Sequence, residues 1–498
     1  MALTDKINII SVPENVWRMQ IRPALLENSD WRPQDDKESI NDFVFRDPVS
    51  GRIVLPKYFW HATINYLEKK IPNVREIATA PKVIPAFTLD DVELKDGIAP
   101  RDYQQEVIDK VVDEYNSKKY LRAIVKGSTG FGKTFVALYT ILYKLKLKPI
   151  IIVHNEVLFQ QWYNAILNYF NIDESRIGRI QGSDLDKIEK EVEKDILIVK
   201  SQSLLSQVKR ADLEKLYELY NEKGKISCVI FDEAHLSSAA LKFAKPSALF
   251  ATPNVLALSA TPFRKGIHKL VMLSTVGDNI IESSHVNMIP EVDIKIVDSN
   301  IDAGDEYRIA RMPAYVQKLG IYNNVVTNEP LFIENIVVEA ENLVKTNHRT
   351  LIIAANNTMV EKLVNILKTK GINAAAFTAQ NREYGDADVI VSNQQMSSTG
   401  FSQDDLSALI LANGIIGKTQ LIQSVGRVLR LLEGKKDPRV VIFLDKIFLK
   451  HINENAPFII KRNLESEFGN ILKIKILEGW KNRNYKFEKI FLKETKWK

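Results

Sequence analysis

The sequence predicts an α/β fold: two tandem parallel-sheet units, with a small α+β segment ahead of them and a basic segment behind. Three observations predict it. Short Val/Ile/Leu runs alternate with amphipathic stretches from about residue 97 to 290. A second set of the same kind runs from about 325 to 450. Continuous apolar runs bounded by turns suit strands buried on both faces, the condition of parallel sheets. Finally, the 498 residues are 45% apolar and 26% charged, ordinary for a globular protein with room for about three domains.

Taken in order, residues 1–90 read as a separate small domain able to touch nucleic acid. "DFVFRDPVSGRIVLP" reads as two short strands around a Pro-Val-Ser-Gly turn, and "YFWHATINYLEKKI" has helical period. Three prolines in "ATAPKVIPAFTLDDVELKDGIAP" mark a linker. Residues 91–290 form the first α/β domain, with strands "RAIVKG", "PIIIVH", "DILIVKS", "SCVIFD" and "VLALSA". Residues 291–324 are read as a connector. Residues 325–450 form the second domain, on "TLIIAA", "DVIVSN", "ALILAN" and "VVIFLD". Residues 451–498 are basic and aromatic-rich.

The net charge is +6, and its distribution is uneven. The last 65 residues hold 16 Lys/Arg against 8 Asp/Glu, so the rest of the chain is close to neutral. A basic end on a neutral body points to an anionic partner such as nucleic acid, or to a solvated lysine-rich tail. The single cysteine, Cys228, excludes a disulfide framework and a Cys-based zinc cluster. No signal pattern opens the chain and no apolar run approaches about 18 residues, so a soluble intracellular protein without a membrane partner is expected.

Four motifs carry chemistry. "GSTGFGKT", Gly127, Ser128, Thr129, Gly130, Phe131, Gly132, Lys133 and Thr134, matches G-x-x-x-x-G-K-[ST] between a strand and a helix. Glycines let the backbone wrap phosphate oxygens, Lys133 reaches the β- and γ-phosphates, and Thr134 can hold Mg²⁺. In "VIFDEAH", Asp232 at a strand end is placed to hold Mg²⁺, and Glu233 to accept a proton from an attacking water. The competing reading is a pair of helix-capping acids. His235 lacks partners at zinc-ligand spacing and reads instead as a polar link toward "LSAT", with Ser259 and Thr261. Gln104 in "PRDYQ", whose amide offers donor and acceptor together, can read the edge of adenine.

Together with "HNEVLFQQW", "KSQSLLS", "LSATPFR", "SSTGFS" and "QSVGRVLR", these segments resemble a superfamily-two helicase core over roughly residues 97 to 450. "LSATPFRKG" and "QSVGRVLR" look most like the phage branch-migration helicases of the UvsW type and their relatives XPB and RecG. The resemblance implies two RecA-like P-loop domains with ATP and Mg²⁺ between them. It assigns adenine to Gln104, coupling of hydrolysis to movement to His235, Ser259 and Thr261, and γ-phosphate contacts to Gln423, Arg427 and Arg430. Segments at His154 and Asn155, Ser201 and Gln202, Ala354, and Ser398, Thr399 and Gly400 would touch the nucleic-acid backbone. Backbone contacts suit a motor that must step over any sequence.

The activity so implied is ATP-dependent unwinding or branch migration of forked or junction DNA in replication, recombination or repair, by a monomer, in the host cytoplasm if phage-encoded. A duplex translocase without strand separation, an RNA helicase and an ATP-switched nucleic-acid sensor stay open beside it. The His of "FDEAH" does not by itself imply RNA. One departure from the resemblance is the short segment between "NAAAFTAQN" and "ADVIVSN", where relatives commonly carry a longer helical stretch. The aromatics of "GWKNRNYKFEKIFLKETKWK" either stack on bases or pack on the second domain.

Overall fold

The computed structural model describes residues 2–31, 40–89, 91–127, 131–210, 212–234, 245–260, 266–282, 289–299, 301–381, 383–398, 403, 405–414, 417–429, 434–469, 472–479 and 487–489. They divide into two compact units, one carrying residues up to 285 apart from 128–130, the other residues 286–498.

The first unit opens with a small antiparallel sheet of β1 (Ile10–Val12), β2 (Phe45–Arg46) and β3 (Ile53–Leu55), in the order β1-β3-β2. Its main sheet is parallel: β4 (Arg122–Lys126), β5 (Pro149–Val153), β6 (Ile177–Ile180), β7 (Ile196–Lys200), β8 (Cys228–Phe231), β9 (Val255–Ser259) and β10 (Ile280–Glu282), ordered β10-β4-β9-β8-β5-β7-β6. Strand side chains alternate between faces. Ile151 and Val153 accordingly join one hydrophobic core while Ile150 and Ile152 join the other. Cys228 is buried in β8, where burial pushes its thiol pKa up.

The N-terminal segment is not a separate domain. Val54 and Tyr58 sit in the same core as Ile150 and Val255 of the main sheet. Trp17, Leu55 and Phe59 share a hydrophobic core with Ile267, Leu270 and Val271 of the helix Ile267–Thr275. The Tyr58 hydroxyl donates to the Pro253 carbonyl, and the buried Lys57 ammonium to that of Phe250.

The second unit holds β11 (Glu291–Val297), β12 (Thr350–Ala354), β13 (Ala374–Phe377), β14 (Val389–Asn393), β15 (Ala408–Ala412), β16 (Arg439–Asp445), β17 (Lys473–Gly479) and β18 (Phe487–Lys489). Their order is β13-β14-β12-β15-β16-β11-β17-β18, parallel except for the last pair. Strands β11 to β16 repeat the connectivity of β4 to β9 one for one: each strand has the same neighbours as its counterpart. The two units are thus copies of one scaffold.

Two expected boundaries move. The connector contains β11, a strand inside the sheet, and the helices Ala303–Arg311 and Tyr315–Val326. The alternating charges of "EVDIKIV" suggest an exposed segment, yet Asp293 and Lys295 are buried, held by Arg439 and by Glu339 at 2.5 Å. The region after 450 also builds the second unit, with Ile460 and Leu464 of the helix Ala456–Phe468 in its core and β17 beside β11. No helix among the described residues is long and apolar enough to cross a membrane.

Candidate nucleotide site and nucleic-acid edge

In parallel α/β sheets, ligands gather at the carboxyl ends of the strands. In the first unit, β4 delivers Gly127, β9 ends at Ser259 and β8 leads into Asp232 and Glu233. The Gly127 amide donates to the Ser259 carbonyl at 3.3 Å, so the phosphate-loop motif is bonded directly to the start of "SAT". Ser259 itself is buried.

The loop returns to the helix Lys133–Leu138, which runs on helically to Lys144, through Gly132. Gly132 has φ +85°, and a Cβ there would lie 2.3 Å from Gln104 Nε2. Gln104 is buried: its Oε1 accepts the Arg101 N–H and its Nε2 donates to the Phe131 carbonyl, both at 3.0 Å. Phe131 is buried with its ring 5.2 Å from that of Tyr103, so only its backbone faces the loop's task. The Lys133 ammonium donates to the Gly127 carbonyl at 2.9 Å. Thr134 follows on the first helical turn, half-buried. Ser128, Thr129 and Gly130 lie outside the described residues.

Asp232 is buried at the end of β8. The Trp162 indole N–H donates to its Oδ2 at 2.7 Å and the Glu233 amide to its Oδ1 at 2.9 Å. Burial pushes its carboxyl above the ordinary carboxylate range, although the Trp162 N–H, the Lys133 ammonium, the Glu233 amide and the His154 ring all favour the ionised form. Glu233 has φ +46°, left-handed backbone that an L-residue adopts at a cost of about 1–2 kcal/mol, a strain that concentrates at functional turns. His235 and Thr261 lie outside the described residues.

This donor set fits a magnesium nucleotide. The loop leaves no room for a Cβ at Gly132, and a hydroxyl and a buried carboxylate are the hard oxygen ligands that Mg²⁺ prefers. A cation near Asp232 would offset the penalty of burying its charge. Among the described residues no group of three or more His, Cys, Asp or Glu could hold a metal.

The neighbouring strand ends carry the expected nucleic-acid segments. After β5, Asn155 caps the helix Glu156–Tyr169, its side chain accepting the Leu158 N–H at 2.9 Å. Its Nδ2 lies 2.9 Å from His154 Nε2, and burial pulls the His154 pKa below its usual value. After β7, Ser201 is buried, so its hydroxyl is not a surface group. Gln202 is exposed and donates to the His154 carbonyl at 2.8 Å. In the second unit, β12 ends at Ala354 and Asn356 caps the next helix, accepting the Met359 N–H at 2.9 Å, as Asn155 does in the first. Ser398 ends the helix Gln394–Ser398, while Thr399 and Gly400 lie outside the described residues.

Gln423 lies half-buried on the helix Lys418–Val425, and Arg427, in the tight turn Gly426–Val428, is buried. Arg430 lies outside the described residues. A cavity of about 760 Å³ sits at the opposite, amino-terminal ends of β11, β16 and β17. Its Arg439 and Lys473 are paired with Glu291, so it is not the chemical centre.

Sequence reasoning missed Trp162. The signal was the "QQW" that ends the segment after β5, which reads as core packing unless the indole partner is known.

The chain is similar to several known proteins. The family model described as Type III restriction enzyme, res subunit, matches residues 97–264, within the first unit. The protein named "Putative helicase 22" of Sulfolobus islandicus filamentous virus is 24% identical over 451 residues, covering 84% of this chain and 76% of its own. The ATP-dependent DNA helicase RecG of Synechocystis is 25% identical over 198 residues, 38% of this chain and 21% of its own. The helicase domain of Pyrococcus furiosus Hef aligns with 70% of this chain and 95% of its own at 14% identity, with a TM-score of 0.44. The chain has two parallel-sheet α/β units and is similar in sequence to a viral helicase-named protein over most of its length.

Proposed function

We propose that this chain is an ATP-dependent DNA helicase or translocase that unwinds or branch-migrates forked or junction DNA. The observation that carries the reading is the convergence of Lys133, Asp232 and Glu233 at the carboxyl ends of β4 and β8, with the nucleic-acid segments at the ends of β5 and β7 of the same sheet.

Lys133 and the loop amides after Gly127 hold the β- and γ-phosphates, and Thr134 and Asp232 would hold Mg²⁺. Bound Mg²⁺ neutralises charge on the phosphates. Glu233, on its left-handed turn, accepts the proton of the attacking water. Gln104 braces the loop, and the adenine contact is assigned to it by resemblance alone. Gln423, Arg427 and Arg430 are assigned the γ-phosphate contacts. Ser259, Thr261 and His235 couple the loss of those contacts to movement. His154, Asn155, Gln202 and the segments after Ala354 and Ser398 hold the strand; Ser201 takes part through its backbone.

ATPase turnover measured with single-stranded DNA, duplexes, forks, four-way junctions and RNA tests the reading. Greatest stimulation by forks or junctions is expected. Stimulation by RNA alone would overturn it, and duplex-stimulated turnover without strand separation would make the chain a remodelling translocase.

A further inference from the structure

We infer that Trp162 is a positioning residue for Asp232, and that the helix Glu156–Tyr169 thereby ties the candidate metal carboxylate to the nucleic-acid edge at His154 and Asn155. The inference deepens the proposed ATPase reading and rests on it.

Trp162 is fully buried, and a buried indole N–H needs an acceptor. Here the acceptor is a carboxylate rather than a backbone carbonyl. The hydrogen bond is 2.7 Å long and charge-assisted, so it is stronger than a neutral one. The Glu233 amide holds the other oxygen at 2.9 Å. One tether from a side chain and one from the backbone fix the rotation of the carboxylate about its Cβ–Cγ bond. If Trp162 only filled the core, a phenyl ring would serve, and the N–H would need no charged partner.

The helix that carries Trp162 starts two turns earlier at the Asn155 cap. Asn155 touches His154, and the His154 carbonyl is held by Gln202 from the end of β7. Both segments lie at the edge assigned to the nucleic acid. A shift of this cap on strand binding therefore moves the donor that aims Asp232. Partners that orient a metal ligand typically contribute about 10–100-fold to metal affinity.

The test replaces Trp162 with Phe and, in a second variant that keeps the indole shape, with 3-benzothienylalanine, whose sulfur replaces the N–H. Affinity for a fluorescent ATP analogue is measured in EDTA and across a Mg²⁺ titration, alongside kcat and KM. Expected are wild-type affinity in EDTA, a Mg²⁺ half-saturation raised roughly 10-fold, and a lowered kcat with little change in KM. Wild-type Mg²⁺ half-saturation in the folded, shape-preserving variant would overturn the inference. Failure of the ATPase reading is distinguishable, because it would appear as absent Mg²⁺-dependent nucleotide binding in the unaltered chain.

Discussion

The side-chain amide of Gln104 donates to the carbonyl of Phe131 at 3.0 Å, and so clamps the phosphate-loop motif to the helix Asp102–Lys118. Its other end accepts the Arg101 N–H at 3.0 Å, so the amide is oriented before any base arrives. Gln104→Ala removes both bonds and leaves the Phe131 carbonyl without its brace. The expected result is nucleotide affinity weakened by roughly 10-fold, with circular dichroism unchanged. Wild-type affinity in that variant would contradict the bracing role.

Gly132 meets the same amide from the other side. Alanine there would strain the backbone at φ +85° and place its Cβ 2.3 Å from Gln104 Nε2. Either the loop or Gln104 must shift. Gly132→Ala is expected to abolish nucleotide binding, read by equilibrium titration. Gly97, also left-handed, has open space around it, so Gly97→Ala should leave binding intact and cost only about 1–2 kcal/mol of stability.

Glu233 is assigned to proton transfer and not to phosphate binding. Glu233→Gln keeps the size and the backbone of the residue while removing the base. Turnover should fall by roughly 10²–10⁴-fold with nucleotide affinity within a factor of a few. Loss of binding and turnover together would make Glu233 a structural residue of the turn.

Lys57 sets a pH dependence of stability. Burial pulls its ammonium pKa from 10.5 down to about 7. The folded chain therefore holds fewer protons there than the unfolded chain between those two values, and stability rises with pH across that window. Its contribution is complete above pH 10.5 and is lost as pH falls toward 7. In Lys57→Met, the denaturation midpoint should vary less between pH 7 and 10 than in the unaltered chain. Equal slopes in the two proteins would show that Lys57 does not bear the effect.

What could be read from the sequence was what repeats or is locally complete. The strands "PIIIVH" and "SCVIFD" declare themselves because both faces are apolar, and the strand-loop-helix around Lys133 is contiguous in the chain. What could not be read depends on partners distant in sequence. Strand β11 hides behind Asp293 and Lys295, whose charges are met by Arg439 and Glu339. The N-terminal segment looked detachable because its apolar residues have their partners in the helix Ile267–Thr275, more than two hundred residues away. Truncating residues 1–79 should therefore yield an insoluble product and not a lean motor.

At the site, Lys133, Asp232 and Glu233 were legible as motif residues, and the strand-end geometry is consistent with their roles. Trp162 was not, because an indole in an amphipathic helix looks the same whether it meets a leucine or a carboxylate. Arg427 was read as a γ-phosphate contact, and it sits buried in a tight turn. Ser201 was read as a strand contact, and its hydroxyl is buried.

The central claim is that this sheet edge couples ATP hydrolysis to DNA. It is tested most directly by steady-state ATPase rate with and without forked DNA, in the unaltered chain and in Glu233→Gln. The expected result is Mg²⁺-dependent turnover that forked DNA accelerates in the unaltered chain and that Glu233→Gln lacks. Turnover that is absent, or that forked DNA leaves unchanged, would contradict the account.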